Sequence, residues 1–457
     1  MADLSVNFCG IRAPNPFWLA SAPPTDKAFN VVRAFKAGWG GVVWKTLGEA
    51  GPPVVNVSGP RYGALHGPDR RVLGFSNIEL ITDRPLEINL REIAQVKRDW
   101  PDRAMVVSLM VPCEEQAWKA ILARVEETGA DAVELNFGCP HGMSERGMGS
   151  AVGQVPEYIE MVTRWCKAHS RMPVLVKLTP NVTNILGPAE AAQRGGADGI
   201  SLINTINSIM GVDLDAMAPV PLIDGMGTHG GYCGRAVKPI ALHMVAEIAR
   251  GAKTRGIPIS GIGGIESWRD AAEFMALGAG TVQVCTAAMV YGFKIVDEMK
   301  SGLSAFLDGR GFAGVADLVG RAVPKLTDWQ HLHIDYAVKA KIDQDLCIQC
   351  GRCYIACEDT SHQAITHLVD GKRHYEVIDD ECVGCNLCAS VCPVDGCISM
   401  EPMAAGSIDP RNGMAVGGAR TWKEHPNNPG AVGAVARVAV AAPRSAHAGD
   451  YEMERGD

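Results

Sequence analysis

Eight short, β-branched apolar runs, mostly separated by longer stretches of amphipathic helical spacing, confine the first 300 or so residues to one class of fold. The runs lie at 17–20, 41–44, 105–109, 132–135, 174–178, 199–203, 257–260 and 281–284. Amphipathic stretches such as 86–100, 114–128, 155–169, 237–252 and 266–277 stand between most of them. Strands that are apolar throughout are buried on both faces, and helices between them make the sheet parallel. Eight such units match an α/β fold of the (β/α)8 TIM-barrel kind, which typically takes about 250 residues. An open doubly wound sheet is the competing arrangement. The chain is therefore divided into a barrel at 1–301, a connector at 302–340, a cysteine-rich α+β unit at 341–401 and a tail at 402–457. The tail is rich in Ala, Gly and Pro with few large apolar residues, and is expected to be disordered.

Two connections are longer than a helical crossover requires, 46–79 after the second strand and 205–235 after the sixth. Loops of that length inside a compact domain usually carry function. Composition narrows the partners. A net charge of -8 without any Lys/Arg run gives no reason to expect nucleic acid. No uncharged apolar stretch reaches the ~18 residues that a membrane span needs. The first ten residues lack the basic start and apolar core of a signal peptide. A reducing compartment, the cytoplasm, is expected for a long chain with this cysteine usage.

Of the fifteen cysteines, Cys9, Cys113 and Cys166 read as scattered buried thiols. Eight others form a repeat: Cys347-x2-Cys350-x2-Cys353-x3-Cys357, then Cys382-x2-Cys385-x2-Cys388-x3-Cys392-Pro393. Thiolates are soft ligands suited to iron–sulfur clusters, and this spacing brings three of them round one cluster. Zinc would need four ligands in pairs and leaves the x3 cysteines without a role. The repeat resembles two-cluster ferredoxins, in which the fourth cysteine of each run serves the other cluster. That resemblance assigns Cys347, Cys350, Cys353 and Cys392 to one [4Fe–4S] cluster, and Cys382, Cys385, Cys388 and Cys357 to the second. Glu358 follows the first run where a proline follows the second, and Cys397 lies off the pattern as a core residue. Such a unit moves single electrons, so it belongs beside a centre that also exchanges pairs. Flavin does this and nicotinamide does not, so the barrel is expected to hold a flavin.

In a barrel enzyme the site lies at the C-terminal ends of the strands. The residues there are Ser21, Lys45 with Thr46, Asn136, Lys177, and Asn204 with Thr205. Each lysine interrupts an apolar run, and an unpaired buried ammonium is costly. One such lysine could snorkel to the rim, whereas two at equivalent ends point to an anionic ligand. The asparagines suit the capping of turns equally well. Gly263 and Gly264 follow the seventh strand and Cys285 with Thr286 the eighth, where barrels often bind phosphate. Gly225-Met226-Gly227-Thr228-His229-Gly230 matches a dinucleotide fingerprint only formally. No strand leads into it and no acidic strand end follows about 20 residues on. Cys139, between Gly138 and Pro140, leaves the fourth strand with His141 close behind. An unperturbed thiol titrates at about 8.5, so a cysteine here has a proton to give; a buried small residue is the plainer reading.

The stretch ELNFGCPHGMSERGMG, together with LASAPPT, WKT, SNIEL, VKLTPNVT, INT, GIGGI and QVCTA, resembles the flavin-barrel region of dihydropyrimidine dehydrogenases. With two C-terminal clusters it looks like the bacterial pyrimidine-reducing subunits of PreA type, over roughly residues 3–400. The resemblance implies an FMN barrel that reduces uracil or thymine to the 5,6-dihydropyrimidine: hydride reaches C6 from reduced FMN, and Cys139 protonates C5 as general acid. It implies that Asn77, Asn136, Asn204 and Thr205 hold the pyrimidine by its amide edges. Ser21, Lys45, Thr46 and Lys177 match flavin-ring contacts, and Gly231, Gly263, Gly264, Cys285 and Thr286 the ribityl-phosphate side. Electrons are implied to come from NAD(P)H through a separate FAD-binding flavoprotein subunit, in a hetero-oligomer built on a homodimer. Gly138 departs from the family, several of whose members carry Ser there. Two other readings are a dihydroorotate dehydrogenase, which shares the barrel, FMN and loop cysteine, and an electron-transfer subunit whose barrel is a docking scaffold.

Overall fold

The computed structural model describes residues 2–48, 54–140, 142–143, 147–369, 371–409, 413–418, 420–425 and 428–430. They form two compact units that divide between Lys325 and Leu326. In the first unit eight parallel strands close into a barrel: β1 (Phe17–Leu19), β2 (Gly41–Leu47), β3 (Ala104–Leu109), β4 (Ala132–Asn136), β5 (Val174–Lys177), β6 (Gly199–Leu202), β7 (Ile259–Ile262) and β8 (Ala279–Val284). Each strand pairs with its successor and β8 pairs with β1, which excludes an open sheet. The long helix after each strand is, in order, α1 (Ala28–Ala37), α2 (Leu86–Asp99), α3 (Glu115–Glu126), α4 (Pro156–His169), α5 (Leu186–Arg194), α6 (Lys238–Arg250), α7 (Trp268–Ala276) and α8 (Ile295–Gly309), with the short helices Ser150–Gly153 and Thr286–Tyr291 before α4 and α8.

Local chemistry marks the helix ends. Pro156 opens α4, where its fixed φ suits the first turn. A capping box opens α7, in which Ser267 Oγ accepts from Asp270 N at 3.3 Å and the Asp270 carboxylate accepts from Ser267 N at 2.9 Å. Between strands and helices lie fully buried side chains that include Trp39, Trp44, Ile93, Trp118 and Phe274. Burying a side chain of Leu or Phe size contributes about 1.5–3 kcal/mol. The Trp44 indole donates to Asn89 Oδ1 at 3.0 Å, so its burial leaves no donor unmet. At the N-terminal end of the barrel a hairpin of Val6–Phe8 and Ile11–Ala13 packs Phe8, Ile11 and Ala13 against Trp18, Val43 and Leu175. Its two-residue turn, Cys9 and Gly10, has φ of 54° and 86°, the left-handed pair that matches strand twist.

The two long connections are not separate loops. Strands Tyr62–His66 and Val72–Asn77 from the first, and Ile206–Ser208 and Gly230–Cys233 from the second, pair into one four-stranded antiparallel sheet. Gly231 lies opposite Asn77 in it, and Tyr232 opposite Ser76. The fingerprint-like segment 225–230 leads into the last of these strands rather than into a helix.

The barrel boundary expected at residue 301 falls inside α8. That helix buries Val296, Met299, Leu303 and Leu307, and the chain beyond it ties back through Gly320 N to Met275 O and Ala322 N to Ala276 O. The expected connector is thus shared between the two units. In the second unit Val338–Ile342 pairs antiparallel with Ile398–Pro402. Two short helices, Arg352–Glu358 and Leu387–Val391, carry parts of the two cysteine runs. The backbone repeats as the sequence does: Gln349 and Gly384 have φ of 55° and 68°, and Gly351 and Asn386 have φ of 79° and 67°.

The expected tail is structured in its first part. Ile408–Asp409 pairs with Met414–Ala415. Arg420 donates to the Asp335 carboxylate through Nε and Nη2, both at 2.9 Å, and the Trp329 and Trp422 rings stand 5.9 Å apart. A few polar and aromatic anchors, invisible to a count of large apolar residues, hold it. Residues 431–457 lie outside the described residues.

Candidate active site and cluster cages

The C-terminal strand ends of the barrel open into a cavity of about 530 Å³, within the size range of cofactor sites. The expected strand-end residues meet there in one hydrogen-bonded chain. Ser21 Oγ lies 3.1 Å from Thr46 Oγ1, which lies 2.9 Å from Ser108 Oγ and accepts from Asn136 Nδ2 at 3.0 Å. Asn136 Oδ1 accepts from Asn204 Nδ2 at 2.9 Å and from Gly138 N at 3.2 Å. Asn204 Oδ1 accepts from Thr205 N at 2.8 Å. These groups fix one another's orientation at the ends of five strands, a preorganised row of amides and hydroxyls.

Both lysines line the cavity, but neither is an unpaired ammonium. Lys45 Nζ stands 2.7 Å from Glu79 Oε1 and 3.8 Å from Asp26, whose carboxyl burial pushes upward. Lys177 Nζ stands 3.6 Å from Glu134 Oε1. The protein's own carboxylates therefore supply counter-charge, and the lysines alone do not demand an anionic ligand. Pairing was hidden from the sequence because Glu79 lies just past the strand Val72–Asn77, at the end of the long first connection, and Glu134 inside an apolar strand.

Asn77 lines the cavity and donates through Nδ2 to Gly231 O at 3.0 Å. Gly231 itself is not among the lining residues. It backs the wall instead: a Cβ there would stand 2.1 Å from Thr205 Oγ1. Gly263 and Gly264 do line the cavity, with φ of 124° and 72° that only glycine adopts freely. Beside them are Cys285 and Thr286, whose hydroxyl donates to Cys233 Sγ at 3.3 Å. Burial pushes the Cys285 thiol up to about 12. Cys139 lines the opposite side, 8% exposed, packed with Ile81, Met110, Met143 and Met148. His141 lies outside the described residues.

Tyr62, Glu79 and Gln283 are among the lining residues that escaped the sequence reading. Gln283 interrupts the apolar run of β8 as the lysines interrupt β2 and β5, so the same signal was present. Its Oε1 is buried with no hydrogen-bond partner among the described residues, an acceptor left for a bound group.

In the second unit the cysteines divide between two small cavities. One is walled by Cys347, Cys350, Cys353 and Cys392, with Cys397 beside them; the other by Cys357, Cys382, Cys385 and Cys388. The fourth cysteine of each run thus stands with the other run. Among the described residues no three His, Cys or carboxylate side chains stand close enough for a single metal ion. A four-iron cube, which spreads its thiolates, suits two cages of four.

Residues 3–307 match the dihydroorotate dehydrogenase family, and residues 340–400 match the 4Fe-4S dicluster domain. The NAD-dependent dihydropyrimidine dehydrogenase subunit PreA of Escherichia coli K12 is 44% identical over 398 residues, 87% of this chain and 95% of that one. The chloroplastic dihydropyrimidine dehydrogenase (NADP(+)) of Arabidopsis thaliana is 42% identical over 333 residues, 71% of this chain and 78% of that one. In fold, ligand-free DHODH from Eimeria tenella aligns with a TM-score of 0.58 at 21% identity, covering 70% of this chain and 92% of that one. FMN is the cofactor of the barrel family, and iron–sulfur clusters are those of the dicluster domain. The residues present fit both: a glycine turn and an orphaned amide oxygen in a cavity of suitable size, and four thiols to each cage. The chain belongs to the dihydroorotate dehydrogenase family, among the dihydropyrimidine dehydrogenase subunits of PreA type.

Proposed function

We propose that the chain catalyses the reversible reduction of uracil and thymine to 5,6-dihydropyrimidines, with electrons entering through its two clusters from a separate FAD- and NAD(P)H-binding flavoprotein subunit. The observation that carries this reading is the amide row: Asn136 and Asn204, joined at 2.9 Å, share one cavity with Asn77, Thr205 and Cys139. Amides and a hydroxyl match the alternating N–H and C=O edges of an uncharged pyrimidine. Orotate carries a carboxylate. The lining cations among the described residues are Lys45 and Lys177, each with a protein carboxylate beside it. An uncharged ring is therefore the better match.

Bound FMN supplies the two-electron exchange with the pyrimidine and the one-electron exchange with the clusters. Ser21, Lys45, Thr46 and Lys177 would hold its ring, and Gly263, Gly264, Cys285 and Thr286 its phosphate side. Asn and Thr side chains hold the substrate's edges, Cys139 carries the proton destined for C5, and its apolar packing keeps water away. The PreA relative is itself a subunit, which supports the separate partner; a homodimeric core and a cytoplasmic location complete the proposal. No helix among the described residues is long and apolar enough to cross a membrane.

Anaerobically reconstituted protein, given a chemical reductant, is expected to convert uracil to dihydrouracil and to leave orotate nearly untouched. Cys139→Ala should slow uracil reduction by about 10²–10⁴-fold, the usual contribution of a placed general acid. Faster turnover of orotate, or no uracil turnover by protein holding full flavin and iron, sinks the reading.

A further inference from the structure

Glu134 is fully buried inside the barrel on β4. It precedes Asn136 by two residues and so faces the same interior side. One carboxylate oxygen is fully engaged: Oε2 accepts from Ser201 Oγ at 2.8 Å and from Gln283 Nε2 at 2.9 Å. Gln283 Nε2 also reaches Ser260 Oγ at 3.2 Å, which Thr281 Oγ1 meets at 2.9 Å. The other oxygen, Oε1, has no hydrogen-bond partner among the described residues and stands 3.6 Å from Lys177 Nζ. A carboxylate so clamped cannot swing, and its spare oxygen is aimed at the one ammonium at the cavity floor that comes from β5.

We propose that Glu134 is a positioning residue that holds Lys177 at the cavity floor and sets how much positive charge it presents to the flavin ring. The proposal rests on Lys177 being a ring contact. In a dry interior a charge acts over several ångströms with little screening. A carboxylate behind the ammonium offsets part of its field, so the reduced, more negative flavin gains less from Lys177 than it would from the lysine alone. The two residues thus act in opposite directions on the same couple. Ser201 and Gln283, both uncharged, fix the carboxylate without neutralising it.

The test is an anaerobic redox titration of the full chain holding FMN and both clusters, for wild type, Glu134→Gln, Glu134→Asp and Lys177→Met. Glu134→Gln keeps the shape and removes the charge. It should raise the ratio of reduced to oxidised flavin at a fixed potential about tenfold, an upward shift of about 30 mV for a two-electron couple. Glu134→Asp, with its charge drawn back by one methylene, should shift the couple the same way by less. Lys177→Met should lower it, and the cluster couples in the same sample should stay in place. If Lys177→Met leaves the couple unmoved, the ring-contact assignment fails. If Lys177→Met lowers it while either Glu134 variant leaves it unmoved or lowers it, the proposal about Glu134 fails alone. A folded Glu134→Gln protein that no longer retains FMN also overturns it, because the carboxylate is then a requirement for binding. A merely structural role would change thermal stability and leave the flavin couple where it is.

Discussion

Gly138 shows how one missing side chain arranges the candidate site. A Cβ at that position would stand 2.4 Å from Asn204 Cβ and 2.5 Å from its Nδ2. A larger residue must therefore push Asn204 off Asn136. Gly138→Ala is expected to cost about 1–3 kcal/mol of stability, as overpacking generally does. It should also raise KM for uracil about tenfold, equivalent to losing about 1.4 kcal/mol of binding, while FMN content stays full. Steady-state kinetics beside a denaturant titration checks both. At this scale the sequence was most legible where polarity broke an apolar run. Lys45, Asn136 and Lys177 announced themselves in that way, and all three line the cavity. What the pattern could not show was pairing. Glu79 lies 34 positions from its lysine, and Glu134 meets Lys177 only because neighbouring barrel strands bring them together.

Helices and strands were legible because their apolar periods differ and each unit repeats the same order. The eight expected runs coincide with β1 to β8 to within about three residues at each end. The long connections were legible as long, since Gly and Pro fill them, but their partnership was not. Hydrogen bonding between 72–77 and 230–233 joins segments with the whole of β3 to β6 between them, and no local pattern reports such a contact. Gly231 illustrates the consequence, because it stands against Thr205 and does not itself line the cavity. Gly231→Ala should displace the Thr205 hydroxyl and weaken uracil binding several-fold, with FMN retained; isothermal titration of oxidised protein with uracil reads it. Unchanged affinity would mean that Thr205 contributes nothing to that edge.

Across the whole molecule the two units solve different problems, and each was read from a different kind of signal. The barrel follows from period and burial, and the cluster unit from ligand spacing. The division at Lys325 and Leu326 falls within the expected connector, but the barrel's end was set too early, because the last turns of α8 look like a connector in sequence and are core in fact, with Leu303 and Leu307 fully buried. The crossed cages carry a sharp expectation. Cys357→Ser should remove the cluster of the second run, and Cys392→Ser that of the first, each lowering iron content by about half. Electron paramagnetic resonance of the reduced variants should show two different surviving spectra. If each variant instead loses the cluster of its own run, the crossing is wrong. The sheet over the barrel mouth bears on redesign. Each of two distant segments supplies a pair of its strands, and the pairs meet along one seam between Val72–Asn77 and Gly230–Cys233, so a replacement of either segment set in another register turns the side chains of that seam to the wrong face. Altering what this mouth admits means transplanting both segments as one graft.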